Sequence, residues 1–344
     1  MTTGRENYTR AIEFTGPVYV PCMLGVDLDW LYEKDDAKAA HIRALQAQFP
    51  DDRLSGLDVA RNRVPPTTTN GVTTWVDEWG CGWVDDGHGA KTETHPLAGG
   101  YPPGERYPFP DPHLPGRFAE ADRGLRQRGS RYTLASVWFT LFERLWMLRG
   151  FQNMLMDPYL EPKGFCWLRD AIVEYNLAII DQWLARRVDG IYFSDDWGTQ
   201  RALLIHPDDW RQFYKPAYRA MFERVRAGGA HVWMHLCGNV SAILPDLIEL
   251  GLNVLNPVQP QAMDIHALAR AFGGQVCFNG GVDVQGVMVY GGPDDVRRAV
   301  HELVDLFGRF NGGYIGSTSH SIMPETPLDN VIALYEAFLE YQPA

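Results

Sequence analysis

Residues 189–196 read Asp-Gly-Ile-Tyr-Phe-Ser-Asp-Asp, a short apolar run that ends in two carboxylates. This run predicts a buried strand, and residues 207–227 after it carry large apolar side chains at helical spacing. Residues 231–235, His-Val-Trp-Met-His, predict the next strand, with a helix from about Val240 to Leu250 behind it. Short apolar strands that alternate with helices are typical of a parallel sheet whose two faces are both covered.

The same alternation extends from this stretch in both directions along the chain. Helices are expected from Asp264, Pro293 and Leu328, and over the segment 141–187. Further strands are expected at 132–139, 253–256, 275–280 and 313–317, and the segments 18–23 and 74–79 are candidates for the first two strands. This number of strand–helix units favours a barrel over an open sheet. We therefore predict that residues 1–344 form a single-domain α/β protein, a (β/α)8 TIM barrel.

The segment 81–131 interrupts this alternation. It is rich in glycine, proline and charged residues, so it cannot hold a long helix. A structureless loop of this length is either functional or disordered. Because the segment follows an expected early strand of the barrel, we predict a long inserted loop that forms a lid or wall over the active site. The alternative is a plain surface insertion.

The composition indicates a soluble, acidic protein of the cytoplasm. The chain has 344 residues, 45% of them hydrophobic, and a formal charge of −12 without a Lys/Arg cluster, so we expect no nucleic-acid partner. No stretch approaches the roughly 20 apolar residues of a membrane-spanning helix, and residues 1–14 lack the apolar core of a signal peptide. The five widely spaced cysteines argue against a disulfide framework and for a reducing compartment.

Polar side chains recur where the expected strands end, which is where a parallel barrel builds its active site. Such groups are costly at the ends of buried strands unless they are paired, so their recurrence predicts one shared cavity. Trp138 and Phe139 end another strand and are candidates for the wall of a pocket for an aromatic substrate. The polar set is Glu78, Asp195, Asp196, His235, Cys237 and His320, together with Asn256, Gln259, Asn279 and Asp283, which we expect to contact substrate.

The adjacent carboxylates Asp195 and Asp196 are expected to have different surroundings, because neighbouring side chains on a strand point to opposite faces. One of them is expected to enter the cavity. The other caps the following helix or pairs with Arg201. The sequence leaves open which residue does which.

The sharpest local signal is His235-Leu-Cys237, because a histidine and a cysteine two residues apart on a strand exit both reach one point beyond its end. Imidazole and thiolate are favoured zinc ligands, and a catalytic zinc site has three protein ligands and one open position. His320, on the exit of the last expected strand, is the candidate for the third ligand.

Four segments, taken in their order and spacing, resemble the uroporphyrinogen decarboxylase superfamily, which includes the cobalamin-linked methyltransferases. They are Phe-Ser-Asp-Asp-Trp-Gly at 193–198, His-Leu-Cys-Gly-Asn at 235–239, Leu-Gly-Leu-Asn-Val-Leu-Asn-Pro at 250–257, and the stretch 313–327, which contains Ser-His-Ser-Ile-Met-Pro. The resemblance implies a distorted (β/α)8 barrel, in agreement with the strand count.

The resemblance also bears on the metal. The methyltransferases of this superfamily typically hold zinc through a His-x-Cys pair and a later cysteine, and here the pair is His235 and Cys237. The later position is His320, as in the decarboxylases, where a histidine there serves substrate binding and catalysis. The decarboxylases' Arg-Gln-Ala-Gly-Arg segment corresponds to residues 17–25, which contain no arginine, so decarboxylation of a porphyrinogen with several propionates is not expected.

Three functions remain at this point. The first is a zinc-dependent methyltransferase, with a corrinoid protein or a thiol as the other methyl partner, in which Glu78 and one of Asp195 and Asp196 orient the ligand or move a proton. The second is a metal-free decarboxylase or lyase of a small aromatic or heterocyclic acid, in which His320 donates a proton. The third is a non-catalytic binding protein. Cys237 favours the first, because a thiolate ligand explains it better than acid–base chemistry does. The sequence leaves open whether the protein forms a homodimer.

Overall fold

A computed structural model describes residues 2–25, 34–59, 65–87 and 89–343 of the protein. Its centre is a parallel sheet of seven strands in the order β1-β6-β7-β8-β9-β10-β11. From β6 onward each strand pairs with the next one along the chain, as in a TIM barrel. These strands are β1 (Arg53–Leu57), β6 (Tyr132–Val137), β7 (Gly190–Ser194), β8 (His231–His235), β9 (Val254–Val258), β10 (Cys277–Val282) and β11 (Tyr314–Thr318).

Helices connect the parallel strands, and the strand–helix alternation expected after residue 189 is confirmed. Two long helical segments are subdivided: the segment 141–187 breaks at Gly150 and before Pro162, and the segment 207–227 breaks before Pro216. The helices are α1 (Gly4–Ile12), α2 (Asp36–Gln46), α3 (Ala119–Arg126), α4 (Phe142–Arg149), α5 (Phe151–Leu160), α6 (Pro162–Ala185), α7 (Pro207–Phe213), α8 (Lys215–Ala227), α9 (Leu244–Leu250), α10 (Ile265–Phe272), α11 (Val287–Tyr290), α12 (Pro293–Phe307) and α13 (Leu328–Leu339).

The prediction of a closed barrel of eight strands is wrong for the described residues, because the ring of strands stays open between β1 and β11. The segment 18–23, a candidate for the first strand, lies beside β11 but forms only a single parallel bridge, between Cys22 and Gly316. The amide of Met23 donates to the carbonyl of Gly316, whose own amide donates to the carbonyl of Pro21. Pro21 has no N–H to donate, so the pairing does not extend backwards along the chain.

The prediction that the segment 74–79 is a barrel strand is also wrong. Strand β3 (Val72–Val76) lies in a separate antiparallel sheet with β2 (Thr67–Thr69), β4 (Gly82–Asp85) and β5 (Lys91–Thr94). Asn70 and Gly71 join β2 to β3 with φ angles of 51° and 80°, the conformation of a two-residue hairpin turn. The barrel strand in this part of the chain is β1, whose sequence Arg-Leu-Ser-Gly-Leu lacks a continuous apolar run.

The segment 81–131 is not the structureless loop that its composition predicted. It contributes β4, β5, a 3-10 turn at Pro103–Glu105 and the eight-residue helix α3. The absence of a long helix within it is confirmed, since short strands and turns tolerate its glycines and prolines.

One apolar layer fills the barrel interior below the strand ends. It takes one or two residues from each strand from β6 to β11, and α1 adds Tyr8 and Ile12 at the amino ends of the strands. The strand residues are Tyr132, Leu134, Tyr192, Trp233, Val254, Cys277 and Ile315. The helices pack outside the sheet and form the larger apolar core. Among the helices in the described ranges, none is both long enough and apolar enough to span a membrane.

Candidate functional site

A polar layer follows the apolar layer towards the carboxyl ends of the strands. Side chains two residues apart on a strand share a face, so the interior positions Trp233, Val254 and Cys277 are followed on the same face by His235, Asn256 and Asn279. This periodicity explains why three of the polar residues predicted from the sequence converge inside the barrel.

His235, Cys237 and His320 meet at the carboxyl ends of β8 and β11. Their ligand atoms all lie within 4.8 Å of one another. Cys237 Sγ lies 3.2 Å from His235 Nε2, and the rings of His235 and His320 are 6.3 Å apart between centroids. Cys237 and His235 are partly buried, whereas His320 is exposed. The three candidate ligands named from the sequence are therefore neighbours in space.

The donor set and its spacing fit a metal ion. In a tetrahedral zinc site with bonds of about 2.0–2.3 Å, ligand atoms are about 3.3–3.8 Å apart. The pair of His235 and Cys237 is close to this spacing, and a side-chain movement of about 1 Å by His320 would complete it. Two imidazoles and one thiol leave the fourth position open, as in catalytic zinc sites.

Asp196 is the carboxylate that faces this group of side chains. Its Oδ1 accepts a hydrogen bond from the amide of Cys237 at 2.9 Å and lies 3.7 Å from His235 Nε2. The next amide, that of Gly238, donates to Gln259 Oε1 at 2.5 Å. Two side chains thus hold the loop that carries the thiol of Cys237.

Asp195 has a different position and does not face the three candidate ligands. It is fully buried, and its carboxylate accepts hydrogen bonds from the amides of Leu141, Phe142 and Glu143 and from the hydroxyl of Tyr218. Burial raises the pKa of Asp195 to about 6, although these donors oppose the shift. Asp195 therefore caps the start of α4, an earlier helix than the one expected, and the choice left open by the sequence is settled by packing.

Glu143 is a carboxyl group at the site that the sequence reasoning missed. It lies in the first turn of α4, and the hydroxyl of Ser194 donates to its Oε2 at 3.5 Å. Burial, followed by the charges of Asp195 and Asp196, raises the pKa of Glu143 to about 9. The sequence signal for Glu143 was its position shortly after the end of β6. The prediction of one helix over 141–187 placed Glu143 in that helix instead of at a strand end.

The thiol and the exposed histidine are both shifted towards their neutral forms. Burial, followed by the neighbouring carboxylate of Asp196, raises the pKa of the Cys237 thiol. Although His320 is exposed, partial desolvation of its ring, followed by the charge of His235, lowers its pKa, and Asp196 opposes this. Among the described residues, the charges that act on the Cys237 thiol are those of Asp196 and Glu143, and both disfavour a thiolate.

Asn256 and Asn279 lie behind His235, away from solvent. Asn256 Oδ1 accepts hydrogen bonds from His235 Nδ1 at 2.7 Å and from the hydroxyl of Tyr192 at 2.6 Å. Asn256 Nδ2 donates to Asn279 Oδ1 at 2.5 Å, and Asn279 Nδ2 donates to the carbonyl of Ile315 at 3.0 Å. The side chains of both asparagines are thus hydrogen-bonded to other groups of the protein.

Glu78 lies apart from the histidines. It is paired with Arg117 through two hydrogen bonds of 2.7 and 3.0 Å, and it also accepts from Tyr175. Glu78, Trp138 and Phe139 line a small cavity of about 30 Å³, room for about one water molecule. Trp138 connects this region to His235, because its ring lies 5.7 Å from that of Tyr192, whose hydroxyl is 2.9 Å from His235 Nδ1.

A larger cavity of about 460 Å³ opens beside His320. Gln259 also lines it, and its walls include the apolar side chains of Val284, Val289 and Met323. Asp283 is buried nearby, where its carboxylate accepts hydrogen bonds from the side chain of Gln261 and the amide of Gln285. Gln259 thus lies beside a space for a small molecule, whereas the carboxylate of Asp283 is used in hydrogen bonds that hold a turn.

Comparisons with known proteins agree with the resemblance seen in the sequence. The model of the uroporphyrinogen decarboxylase family matches residues 119–341. The uroporphyrinogen decarboxylase of Christiangramia forsetii is 22% identical over 191 residues, which are 54% of this chain and 50% of that protein. That of Thermus thermophilus is 30% identical over 139 residues, 40% of this chain and 38% of that protein. The matches span about half the length of these relatives or less.

The fold extends further than the sequence similarity. A solved structure of a methyltransferase from Methanosarcina mazei superposes with a TM-score of 0.70, covering 99% of this chain and 99% of that one, at 18% sequence identity. This similarity shows a shared fold, and the match of the family model over residues 119–341 establishes the family. The chain belongs to the uroporphyrinogen decarboxylase family.

Proposed function

We propose that this protein is a zinc-dependent methyltransferase that moves a methyl group between a small substrate and a corrinoid or thiol acceptor. The observation that carries the proposal is the meeting of Cys237 with His235 and His320 around one point, within 4.8 Å. One thiolate and two imidazoles with an open fourth position make a catalytic zinc site.

The surroundings of Cys237 support a metal ligand over a free nucleophile or an acid–base group. Burial and the carboxylate of Asp196 raise the pKa of the thiol, so it stays protonated without a nearby cation. A bound zinc ion would supply the missing positive charge and would act as a Lewis acid on a substrate thiol or ether oxygen.

The other residues have roles that follow from their positions. His235, Cys237 and His320 would hold the ion, with His320 on the side of the larger cavity. That cavity is lined by both apolar and polar side chains, which suits a small organic substrate with polar groups. Asp196 fixes the loop of Cys237 through its amide, and Glu143 is positioned to hold or release a proton near the reacting groups. The M. mazei methyltransferase, which shares the fold, is consistent with this chemistry.

The second candidate function is a metal-free decarboxylase or lyase of a small aromatic or heterocyclic acid. The observation in its favour is His320, which lines the larger cavity and whose pKa is lowered by burial. In that reaction His320 would donate a proton to the carbon that loses the carboxylate. The curated relatives named above are decarboxylases.

The metal content of the purified protein separates the two functions. We expect one zinc ion per chain by elemental analysis, and zinc-dependent transfer of methyl from methylcobalamin to a small thiol, followed by the absorbance of the corrinoid. Cys237→Ser is expected to lose both, while Cys166→Ser, at a cysteine outside the site, keeps both. Absence of zinc before and after adding the metal would contradict the proposal. Decarboxylation that survives chelators and Cys237→Ser but not His320→Ala would establish the second function.

A further inference from the structure

A chain of hydrogen bonds crosses the barrel behind His235 and connects five neighbouring strands. Tyr192 lies on β7, His235 on β8, Asn256 on β9 and Asn279 on β10, and the chain ends at the carbonyl of Ile315 on β11. His235 and Asn256 are register partners in adjacent strands, and so are Asn279 and Ile315. The chain therefore follows from the alignment of the strands themselves.

The end of this chain at Ile315 sets the direction of every bond in it. A backbone carbonyl only accepts, so the atom of Asn279 that faces Ile315 is the amide nitrogen. Asn279 Oδ1 then faces Asn256 and needs a donor, which must be Asn256 Nδ2. Asn256 Oδ1 consequently faces His235 and needs a donor as well. Reversing either amide would leave two donors or two acceptors facing each other out of contact with water, which is unfavourable.

The directions of these hydrogen bonds fix the position of the proton on His235. Since Asn256 Oδ1 can only accept, the ring nitrogen 2.7 Å away, Nδ1, carries the hydrogen. The hydroxyl of Tyr192 lies 2.6 Å from Asn256 Oδ1 and 2.9 Å from Nδ1. It donates to Oδ1, because donation to Nδ1 would leave the lone pairs of Nδ1 and Oδ1 facing each other at 2.7 Å. Neutral His235 then has its lone pair on Nε2, the atom 3.2 Å from Cys237 Sγ. This nitrogen is the one that faces the other candidate ligands.

We infer that Asn256 and Asn279 are positioning residues, which fix His235 as the Nδ1–H tautomer and so present Nε2 to the metal. This assigns them a role other than the substrate contact expected from the sequence. Asn279 is fully buried and touches neither the imidazole nor the cavity beside His320, so it acts through Asn256. The tautomer of His235 does not depend on any metal, whereas its effect on zinc binding rests on the proposed function.

The tautomer is measured first, in the zinc-free protein labelled with 15N-histidine, by long-range proton–nitrogen correlation spectra. His235 is assigned by loss of its signals in His235→Gln. We expect the Nδ1–H form in the wild type. In Asn256→Leu and in Asn279→Leu we expect a mixture of the two tautomers. Asn256→Asp, whose carboxylate still accepts from Nδ1, is expected to keep the wild-type form. An Nε2–H tautomer in the wild type would overturn the inference whatever the metal content.

Zinc affinity is measured next, by competition with a chromophoric chelator. We expect Asn256→Leu and Asn279→Leu to weaken zinc binding about 10–100-fold, the usual effect of losing a group that orients a metal-bound histidine, and Asn256→Asp to restore most of it. Asn330→Leu is the matched control, because Asn330 is an equally buried asparagine that donates to the carbonyls of Met288 and Gly291 and to none of the candidate metal ligands. Asn330→Leu is expected to leave both the tautomer and the affinity unchanged.

The two measurements distinguish the failure of this inference from the failure of the proposed function. If the wild type shows the Nδ1–H tautomer but binds no zinc, the metal function is wrong and the positioning of His235 by the asparagines stands. If Asn279→Leu matches Asn330→Leu in both tautomer and zinc affinity, Asn279 has only a packing role and the inference is overturned.

Discussion

At the scale of single residues, Glu143 is a partly buried acid that lies near two other carboxyl groups. Its carboxyl is shielded from water and lies near the charges of Asp195 and Asp196, and these effects raise its pKa to about 9. The folded protein therefore holds a proton at Glu143 that the unfolded chain releases at the ordinary value of about 4.3. Such a group costs stability when it is ionised and is suited to proton transfer when it is neutral.

This pKa predicts a pH dependence of stability. Between the unfolded pKa and about 9 the folded state binds more protons than the unfolded state, so the free energy of unfolding falls as the pH rises, by at most about 1.4 kcal/mol per unit. Glu143→Gln removes this titration, and we expect the zinc-free variant to lose less stability than the wild type between pH 5 and pH 8. Urea unfolding at both pH values measures it. Equal losses in the two proteins would show that Glu143 ionises normally.

The residue scale also shows what a sequence pattern leaves undecided. Asp195 and Asp196 are adjacent, and alternation along a strand predicts only that their surroundings differ. The amides of residues 141–143 determine that Asp195 is the cap, and these amides are more than 50 residues away in the chain. No local rule contains that information.

At the scale of elements, the four-stranded sheet β2–β5 is attached to the barrel by buried ion pairs. Glu78 binds Arg117 with side-chain exposures of 6% and 1%, and Asp77 binds Arg144 of α4 with 10% and 5%. The ring of Trp83 on β4 lies 5.6 Å from that of Phe139. These contacts favour a fixed wall over a mobile lid, because opening the sheet would separate buried charges.

The attachment of this sheet is tested at Glu78. Glu78→Gln removes the carboxylate that binds the buried guanidinium of Arg117, and we expect a loss of about 3 kcal/mol in the free energy of unfolding and faster proteolysis within residues 67–94. Glu120→Gln is the control, because its ion pair with Arg123 is exposed and is worth less than about 1 kcal/mol. Loss of methyl transfer without loss of stability in Glu78→Gln would instead support the catalytic role expected from the sequence.

At the scale of the whole molecule, the barrel formed by the described residues does not close between β1 and β11. On this open side, residues 21–23 contact β11. The hydroxyl of Ser317 donates to the carbonyl of Met23, in addition to the backbone bonds at Gly316. Gly316 allows this approach because a Cβ there would lie 2.5 Å from Phe338 and 3.0 Å from the sulfur of Cys22. The glycine therefore leaves room for side chains of the segment at Cys22 and of α13 at the same position on β11.

Gly316→Ala tests this contact. We expect a loss of about 1–3 kcal/mol in the free energy of unfolding, because either α13 or the segment at Cys22 must move, and faster proteolysis near residue 22. Gly99→Ala is the control, since a Cβ there meets no atom within 4 Å. Unchanged stability and proteolysis in Gly316→Ala would show that the segment and α13 adjust without cost.

Most of the barrel could be predicted from the sequence, because a buried parallel strand has a local signature. The strands from β6 to β11 lie within a few residues of their expected positions. The hairpin at Asn70 and Gly71 also had a local signature, which was overlooked in favour of a barrel strand. Strand β1 had none, because its polar and glycine residues give no apolar run.

The sequence by itself determined the alternation of strands and helices, the convergence of polar residues at the strand ends, and the His235–Cys237 pair, because these depend on spacing within one or two elements. Only the tertiary structure decided which aspartate faces the site, that Glu143 joins it, that Glu78 pairs with Arg117, and which nitrogen of His235 carries the proton. Each of these depends on atoms that packing and strand register bring together from distant parts of the chain, and on the low polarity of the space where they meet.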